Sequence, residues 1–236
     1  MPTVLITGAS RGLGATTARR LAAHGFTVFA GARDPERLTQ HLHPGPGLSN
    51  ATSDIRPVAL DVTDDDSVLA ASAEIDRAVG QLDVLINNAG VPGTWAAAEE
   101  VRPSDFDDVI ATNLLGPVRV TQAFLPLLRR SASPRLVMVS SAMGSLTLQS
   151  TDPTYSDIAH LPYPASKAAL NMLAVQYAKA LPDVLVTSVD PGLTATEFTH
   201  GTGHSVYEGT DAIVAAALDT TGPSGRFIDR NGPTPW

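Results

Sequence analysis

The sequence predicts one α/β domain, 1–236, built on a doubly wound parallel sheet of seven strands with helices on both faces. Three observations carry that expectation. Short β-branched or apolar runs alternate along the whole chain with longer segments of helical period, which is the pattern of a parallel sheet covered on both sides. A glycine-rich turn follows the first apolar run directly and opens the first helical segment. Finally, 236 residues with 43% apolar and 17% charged side chains fit one domain with a full core.

The expected strands are "TVLIT" (3–7), "FTVFAGA" (26–32), "RPVAL" (56–60), "LDVLI" (82–86), "RLVMVS" (135–140), "VLVTSV" (184–189) and "RFI" (226–228). Between them, helices are expected over 12–24, with Gly25 past its end, and over 64–79, 105–130, 163–181 and 206–219. Each opens near a Ser, Thr, Asp or Pro, the residues that suit a helix start. "HPGPGLSNATSD" (43–54) is a Pro/Gly/Ser loop joining a helix to a strand within the domain.

Composition excludes several chemistries. The absence of cysteine removes disulfides, iron–sulfur clusters, thiolate zinc sites and cysteine nucleophiles. A formal charge of −8, with an isoelectric point near 5.1, argues against nucleic acid or an anionic membrane as a partner. No apolar run approaches the roughly 18 residues of a membrane helix. The start "MPTVLITGAS" enters a strand directly, so a cytoplasmic location is expected and the Asn50 sequon is expected to be idle. His200 and His204 have an i, i+4 spacing, yet Gly201 and Gly203 oppose a helix and no carboxylate or cysteine completes a set. The histidines of "QHLHPG" (40–45) read the same way, and no metal is expected.

In "TVLITGASRGLGATTARRLAAHG", Gly8, Gly12 and Gly14 stand between the first strand and the first helix. Glycines there allow a tight turn and let backbone N–H groups and the helix N-terminus approach a pyrophosphate. The end of the second strand separates the two nicotinamide coenzymes. A carboxylate would grip the ribose 2′-hydroxyl of NAD, but "FAGARDPERL" offers Ala32 and then Arg33, and Arg11 lies within the glycine turn. Two guanidiniums suit a 2′-phosphate, which points to NADP(H).

The chain resembles the classical short-chain dehydrogenase/reductase family along nearly its whole length. The resemblance rests on "TGASRGLG" (7–14), "LDVTD" (60–64), "NNAG" (87–90), "TNLLG" (112–116), "VSSAMG" (139–144), "YPASK" (163–167) and "DPGLTAT" (190–196), in that order. The closing "GRFIDRNGPTPW" is similar to bacterial carbonyl-reductase-like members. It implies a Rossmann fold, reversible reduction of a ketone or aldehyde to an alcohol, and a tetrad of Asn113, Ser141, Tyr163 and Lys167. It also implies coenzyme contacts from Gly8, Ser10, Arg11, Gly12, Leu13, Gly14, Arg33, Asp61, Val62, Asn88, Ala89, Gly90, Tyr163, Lys167, Pro191, Gly192, Thr194 and Thr196. Thr194 departs from the family pattern, which has Ile or Val there.

The residues explain why such chemistry wants them. Hydride addition to a carbonyl leaves an alkoxide unless an acid supplies a proton as charge develops. A phenol, with a reference pKa near 10, is a reluctant acid. Lys167 lies one helical turn from Tyr163 and on the same face, where an ammonium would lower the phenol's pKa. Tyr155 lacks that partner, because the residue four later is Ala159. Of the serine pair at the end of the fifth strand, alternation sends Ser140 and Ser141 to opposite sides, and the family uses the second. Pro117 deprives the Asn113 carbonyl of its helical donor, so a bend is expected at 113–117, with a relay water on that carbonyl.

Ser141 and Tyr163 stand farther apart than the family pattern, by an insertion of roughly nine residues, so 142–162 is expected to form a flap over the site. With 91–96 and the loop 193–210 it should wall the substrate pocket. The 105–130 and 163–181 helices carry enough apolar residues to face a partner copy, so a homodimer or homotetramer is expected. Two other readings exist. A coenzyme-sensing protein without turnover would be expected to have lost the acid or its lysine, and a sugar-nucleotide epimerase of the extended type would have a longer C-terminal part than this chain.

Overall fold

Along the first strand the side chains alternate, Val4 and Ile6 to one face and Leu5 to the other, and both faces are buried. That is why the strand reads as an unbroken apolar run. The computed structural model describes residues 1–36, 38 and 54–236. Residues 43–53 of the expected 43–54 loop, the histidines of 40–45 and the Asn50 sequon lie outside the described residues.

The chain forms β1 (Thr3–Ile6), α1 (Gly12–Ala23), β2 (Thr27–Ala32), β3 (Ile55–Ala59), α2 (Asp65–Val79), β4 (Val84–Asn87), α3 (Asp107–Ile110), α4 (Gly116–Leu128) and β5 (Arg135–Val139). It continues through α5 (Leu146–Thr151), α6 (Pro162–Ala180), β6 (Leu185–Val189), α7 (Val206–Gly209), α8 (Asp211–Leu218), β7 (Arg226–Asp229) and β8 (Gly232–Pro233). The described strands lie in the order β3-β2-β1-β4-β5-β6-β7-β8. All pairings are parallel except β7 with β8. Strand order reverses between β1 and β4, and their carboxyl ends part there to open a crevice.

Two cores result. On one face Leu21, Ile213 and Val214 of α1 and α8 cover Val4, Ile6 and Val28. On the other, Ile75, Phe124 and Leu170 of α2, α4 and α6 cover Leu5, Leu85 and Leu136.

Each of the seven expected strands is present, and the structure adds one. β8 is a two-residue antiparallel partner for β7, reached by a turn in which Asp229 accepts the N–H groups of Asn231 and Gly232. Two residues are too few to leave a periodic signal. The helix expected over 105–130 is broken into a 3₁₀ turn (Pro103–Phe106), α3, a π turn (Ala111–Leu115) and α4. Pro117 has no N–H for the Asn113 carbonyl, and the Gly116 N–H reaches back five residues to Ala111. The irregularity lies where the bend was expected, as a widened turn. The 206–219 helix is likewise divided, at Thr210, into α7 and α8. Residues 142–162 hold a 3₁₀ turn (Ala142–Gly144), α5 and a second 3₁₀ turn (Pro153–Tyr155) before α6 begins.

Candidate active site at the carboxyl edge of the sheet

The turn after β1 takes a shape that only glycine adopts easily, with φ +65° at Gly8 and +54° at Gly12. It delivers the chain into α1 with no side-chain cap from Arg11 and no acidic residue in the first turn, so the first N–H groups of this helix keep their capacity for an anion. A Cβ on Gly12 would meet only Thr196, at 3.5 Å. The cradle is open toward the 193–210 loop and fits a dinucleotide pyrophosphate. Gly14 is buried beneath it, Ser10 and Leu13 are half-buried, and Leu13 packs on the α1 face of the core.

Thr7 joins this turn to the one after β4. Its Oγ1 accepts the N–H groups of Asn88 (2.9 Å) and Ala89 (3.0 Å), and Asn88 Nδ2 donates to Thr7 O (2.8 Å). Sequence reasoning passed over Thr7, although it heads the glycine motif. At the adenosine end, exposed Arg33 follows β2 and lies within electrostatic reach of Asp61. Burial alone would raise the Asp61 pKa, but hydrogen bonds from Thr63 and the charges of Arg33 and Arg119 hold it low. Val62 is buried, and its carbonyl accepts from Arg119. Arg11 pairs with Glu197 of the 193–210 loop, both largely exposed. Pro191 and Gly192 form the turn after β6, and Thr196 heads the 3₁₀ turn Glu197–Thr199. Thr194 is buried, with Oγ1 donating to Pro191 O and Gly192 O. Its hydroxyl is thereby held within its own loop.

The four tetrad candidates converge from the end of β5, the π turn and α6. Alternation at the end of β5 separates the serines as expected. Ser140 is buried with its hydroxyl toward Lys167 O (3.4 Å), whereas Ser141 Oγ accepts the Met143 N–H (3.2 Å) and acts on the Tyr163 hydroxyl, drawing its pKa down. Glycine at 144 permits this geometry, because a Cβ there would come within 2.5 Å of the Lys167 backbone. Lys167 is buried, its Nζ donates to Val139 O (2.8 Å), and it lies 5.5 Å from the centre of the Tyr163 ring. Asn113 is fully buried. Its Oδ1 accepts from Val91 N (2.8 Å), and its Nδ2 donates to Val91 O (2.9 Å) and Ser166 Oγ (3.1 Å). A Cβ on Gly90 would lie 3.4 Å from Asn113 Oδ1 and 3.8 Å from Lys167 Nζ, so the two flank one exposed glycine.

The electrostatics differ from the simple expectation that Lys167 lowers the phenol. Tyr163 keeps part of its surface open, but the atoms crowding its hydroxyl push its pKa well above the phenol value. The Ser141 hydrogen bond draws it down, and the Asp190 carboxylate pushes it further up. Burial brings Lys167 down to about 8, against the opposing pull of Asp190. Burial is the largest influence on both side chains.

Two neighbours went unsingled in the sequence. His160, within the 142–162 segment, is buried between Trp95 (ring centroids 4.0 Å, interplanar angle 19°) and Tyr163 (6.3 Å, 9°). Its Nε2 faces Thr94 O (3.2 Å), and its Nδ1 has no partner. Phe198 meets the Tyr163 ring edge-on at 5.3 Å. Trp95 and Phe198 are 59% and 39% exposed, so aromatic surface flanks the Tyr163 ring from the 91–96 and 193–210 segments. Burial lowers the His160 pKa. Asp190, at the end of β6, is the second neighbour. Tyr155 is half-buried, its pKa raised by burial and then by Asp190, Asp152 and Asp229. It belongs to the 3₁₀ turn Pro153–Tyr155 of the 142–162 segment.

Among the described residues, no helix is long and apolar enough to cross a membrane. The chain matches the short chain dehydrogenase family over residues 2–206. A short-chain dehydrogenase of Penicillium roqueforti, anuI, is 36% identical over 227 residues, covering 92% of this chain and 89% of that protein. The (+)-neomenthol dehydrogenase of Arabidopsis thaliana is 30% identical, covering 96% and 95% respectively. Among solved structures, NADPH-bound carbonyl reductase from chicken fatty liver superposes with a TM-score of 0.85 at 28% identity, over 100% of this chain and 99% of that one.

Proposed function

The chain belongs to the short-chain dehydrogenase family of oxidoreductases, and within that family we propose that it is an NADPH-dependent reductase of ketones or aldehydes. The observation that carries the reading is the placing of Tyr163 at the carboxyl edge of the sheet, with Lys167 Nζ 5.5 Å from its ring centre and Ser141 drawing the pKa of its hydroxyl down.

NADPH would lie with its pyrophosphate on the Gly8–Gly14 turn and its nicotinamide toward Asn88, Ala89, Gly90, Pro191 and Gly192, and when bound it supplies the hydride. Tyr163 donates its proton to the carbonyl oxygen as negative charge grows there. Ser141 donates a hydrogen bond to the same oxygen, aimed at the developing oxyanion. Lys167 steers the phenol through its charge, which it keeps below about pH 8 and loses as pH rises through that value. Asn113 pins the Val91 backbone and, with a carbonyl that Pro117 deprives of its α-helical donor, holds a relay water for Lys167. Arg11 and Arg33 hold the 2′-phosphate. Supporting this, the chicken structure contains NADPH, and Arg33 follows β2 where an NAD enzyme would have a carboxylate.

The 142–162 segment acts as a flap on the substrate side, and the enzyme assembles as a homodimer or homotetramer through the faces of the 105–130 region and α6, where Leu115 of the π turn and Met172 of α6 are exposed. A light-scattering mass of one chain would refute the assembly. Turnover of a panel of ketones and aldehydes with NADPH tests the function. Reduction of at least one carbonyl compound is expected, and tight NADPH binding with no turnover of any of them would favour a coenzyme-sensing protein instead.

A further inference from the structure

We propose that Trp95 is a specificity-determining residue and His160 the residue that positions it, a stacked pair beside Tyr163 that selects carbonyl compounds bearing a flat aromatic or conjugated ring. The proposal rests on the reading of Tyr163 as the acid of a carbonyl reductase and deepens it by naming a substrate class.

The segment after β4 carries Trp95 past the head of α6. Asn113 holds the start of that segment through both backbone groups of Val91. Gly93 then runs close to the helix, with φ +71°, and a Cβ there would come within 2.6 Å of Val109 and 3.7 Å of Pro162, the residue before Tyr163. A side chain would block that approach. Thr94 follows and offers its carbonyl to His160 Nε2 (3.2 Å). Because a carbonyl only accepts, Nε2 carries the imidazole proton. The ring held in this way is 5% exposed. It stacks on Trp95, with centroids 4.0 Å apart at 19°, and lies within 9° of parallel to the Tyr163 ring at 6.3 Å.

The two residues divide the work. His160 is buried and fixed twice by the 91–96 segment, through the Thr94 carbonyl and the Trp95 ring, whereas Trp95 keeps 59% of its surface exposed. The imidazole backs the indole and fixes its plane, and the rest of the indole stays open. A flat surface set in place beforehand takes a flat ring at little cost in ordering, and aromatic rings meet stacked or edge-on with centroids about 4.5–7 Å apart. Phe198, 39% exposed, brings a second aromatic group from the 193–210 loop, edge-on to the Tyr163 ring at 5.3 Å. A ketone with its oxygen on the Tyr163 hydroxyl therefore has aromatic surface on two of the segments around it. A saturated ring is puckered and gains only part of that contact. His160 acts through Trp95, since losing the imidazole frees both the indole and the Thr94 carbonyl.

The test compares acetophenone with cyclohexyl methyl ketone, which share a carbon skeleton and differ in whether the ring is flat. The quantity read is the ratio of kcat/KM for the first to kcat/KM for the second, with NADPH. Comparing that ratio between variant and wild type cancels both the intrinsic reactivity of the ketones and the folded fraction of the enzyme. Trp95→Leu, which keeps an apolar side chain and removes the flat ring, should lower the ratio about three- to tenfold. His160→Ala should lower it in the wild-type background and leave it unchanged in the Trp95→Leu background. An unshifted ratio in folded Trp95→Leu would overturn the proposal, as would a wild type that reduces alkyl ketones and no aryl ketone. An equal effect of His160→Ala in both backgrounds would overturn the positioning role. Should His160→Ala fail to fold, His160→Leu fills the buried space without a ring to stack and carries the same comparison. A wild type that reduces no carbonyl compound at all would overturn the carbonyl-reductase reading itself, whereas turnover of both ketones at an unshifted ratio overturns this proposal alone.

Discussion

The two ends of the sheet both bury charge, and they treat it oppositely. At the amino ends of β1, β4 and β5, Asp83 accepts hydrogen bonds from Thr3 N (2.7 Å), Thr3 Oγ1 (3.1 Å) and Ser131 Oγ, with Arg135 close by. Burial would raise its pKa, but these partners bring it below the ordinary carboxylate value. Arg135 is itself answered by Ala217 O and Ser133 O. At the carboxyl end, Asp190 is raised, Lys167 is lowered to about 8 and Tyr163 is raised, each chiefly by burial. His160 keeps an unpartnered nitrogen there. Satisfied buried charge braces a fold; buried groups pushed away from their resting protonation state are poised to exchange protons. One sheet does both because the crevice opens only where its strands end.

Substitutions at the two ends should separate activity from stability. Ser141→Ala is expected to lower kcat on the order of 10² to 10³, as losing an oxyanion donor does, with little change in melting temperature. Ser140→Ala, one residue away, should keep most of the turnover, because its hydroxyl makes only a long contact to Lys167 O. Equal losses in both would erase the assignment of the pair. Arg33→Ala is expected to weaken NADPH binding about ten- to a hundredfold while sparing NADH, the loss of one charge-assisted phosphate contact. Equal effects on the two coenzymes would show that the arginine does not read the phosphate.

Asp83→Asn should do the reverse of Ser141→Ala. Loss of about 2 kcal/mol of stability at pH 7 is expected, with kcat per folded molecule unchanged, measured by denaturant unfolding beside initial rates. Because Asp83 is depressed in the folded state, its contribution is present above the ordinary carboxylate pKa and fades as pH falls through the lower folded value. The stabilities of wild type and variant should therefore converge in acid, and a gap that widened there would contradict this account of the brace.

The sequence showed the sheet far better than it showed the protonation states. Seven strands were legible because strands buried on both faces are short apolar runs such as "TVLIT", while β8 is two residues long and "DRNGP" reads only as a turn. The broken 105–130 helix was half legible. Pro117 marked the lost hydrogen bond, but whether the chain bends or widens into a π turn depends on packing around Asn113 and Gly116. The four tetrad candidates came from the family motifs, and the structure brings them near one another, with Asn113 and Lys167 both beside Gly90. His160 was illegible because its meaning comes from Trp95 and Thr94, more than sixty residues away. Asp190 left a faint signal, a carboxylate ending the otherwise uncharged run "VLVTSVD". Its place beside the Ser141 turn follows only once β6 pairs with β5, Val189 opposite Val139.

The most direct test of the account is a pair of tyrosine variants, with NADPH binding followed by fluorescence and carbonyl reduction followed by NADPH consumption. Tyr163→Phe is expected to bind NADPH like the wild type while losing on the order of 10² to 10⁴ in kcat, and Tyr155→Phe is expected to bind it and keep the chemistry. An active Tyr163→Phe, or a dead Tyr155→Phe that still folds and binds coenzyme, would contradict the placement of the acid at Tyr163.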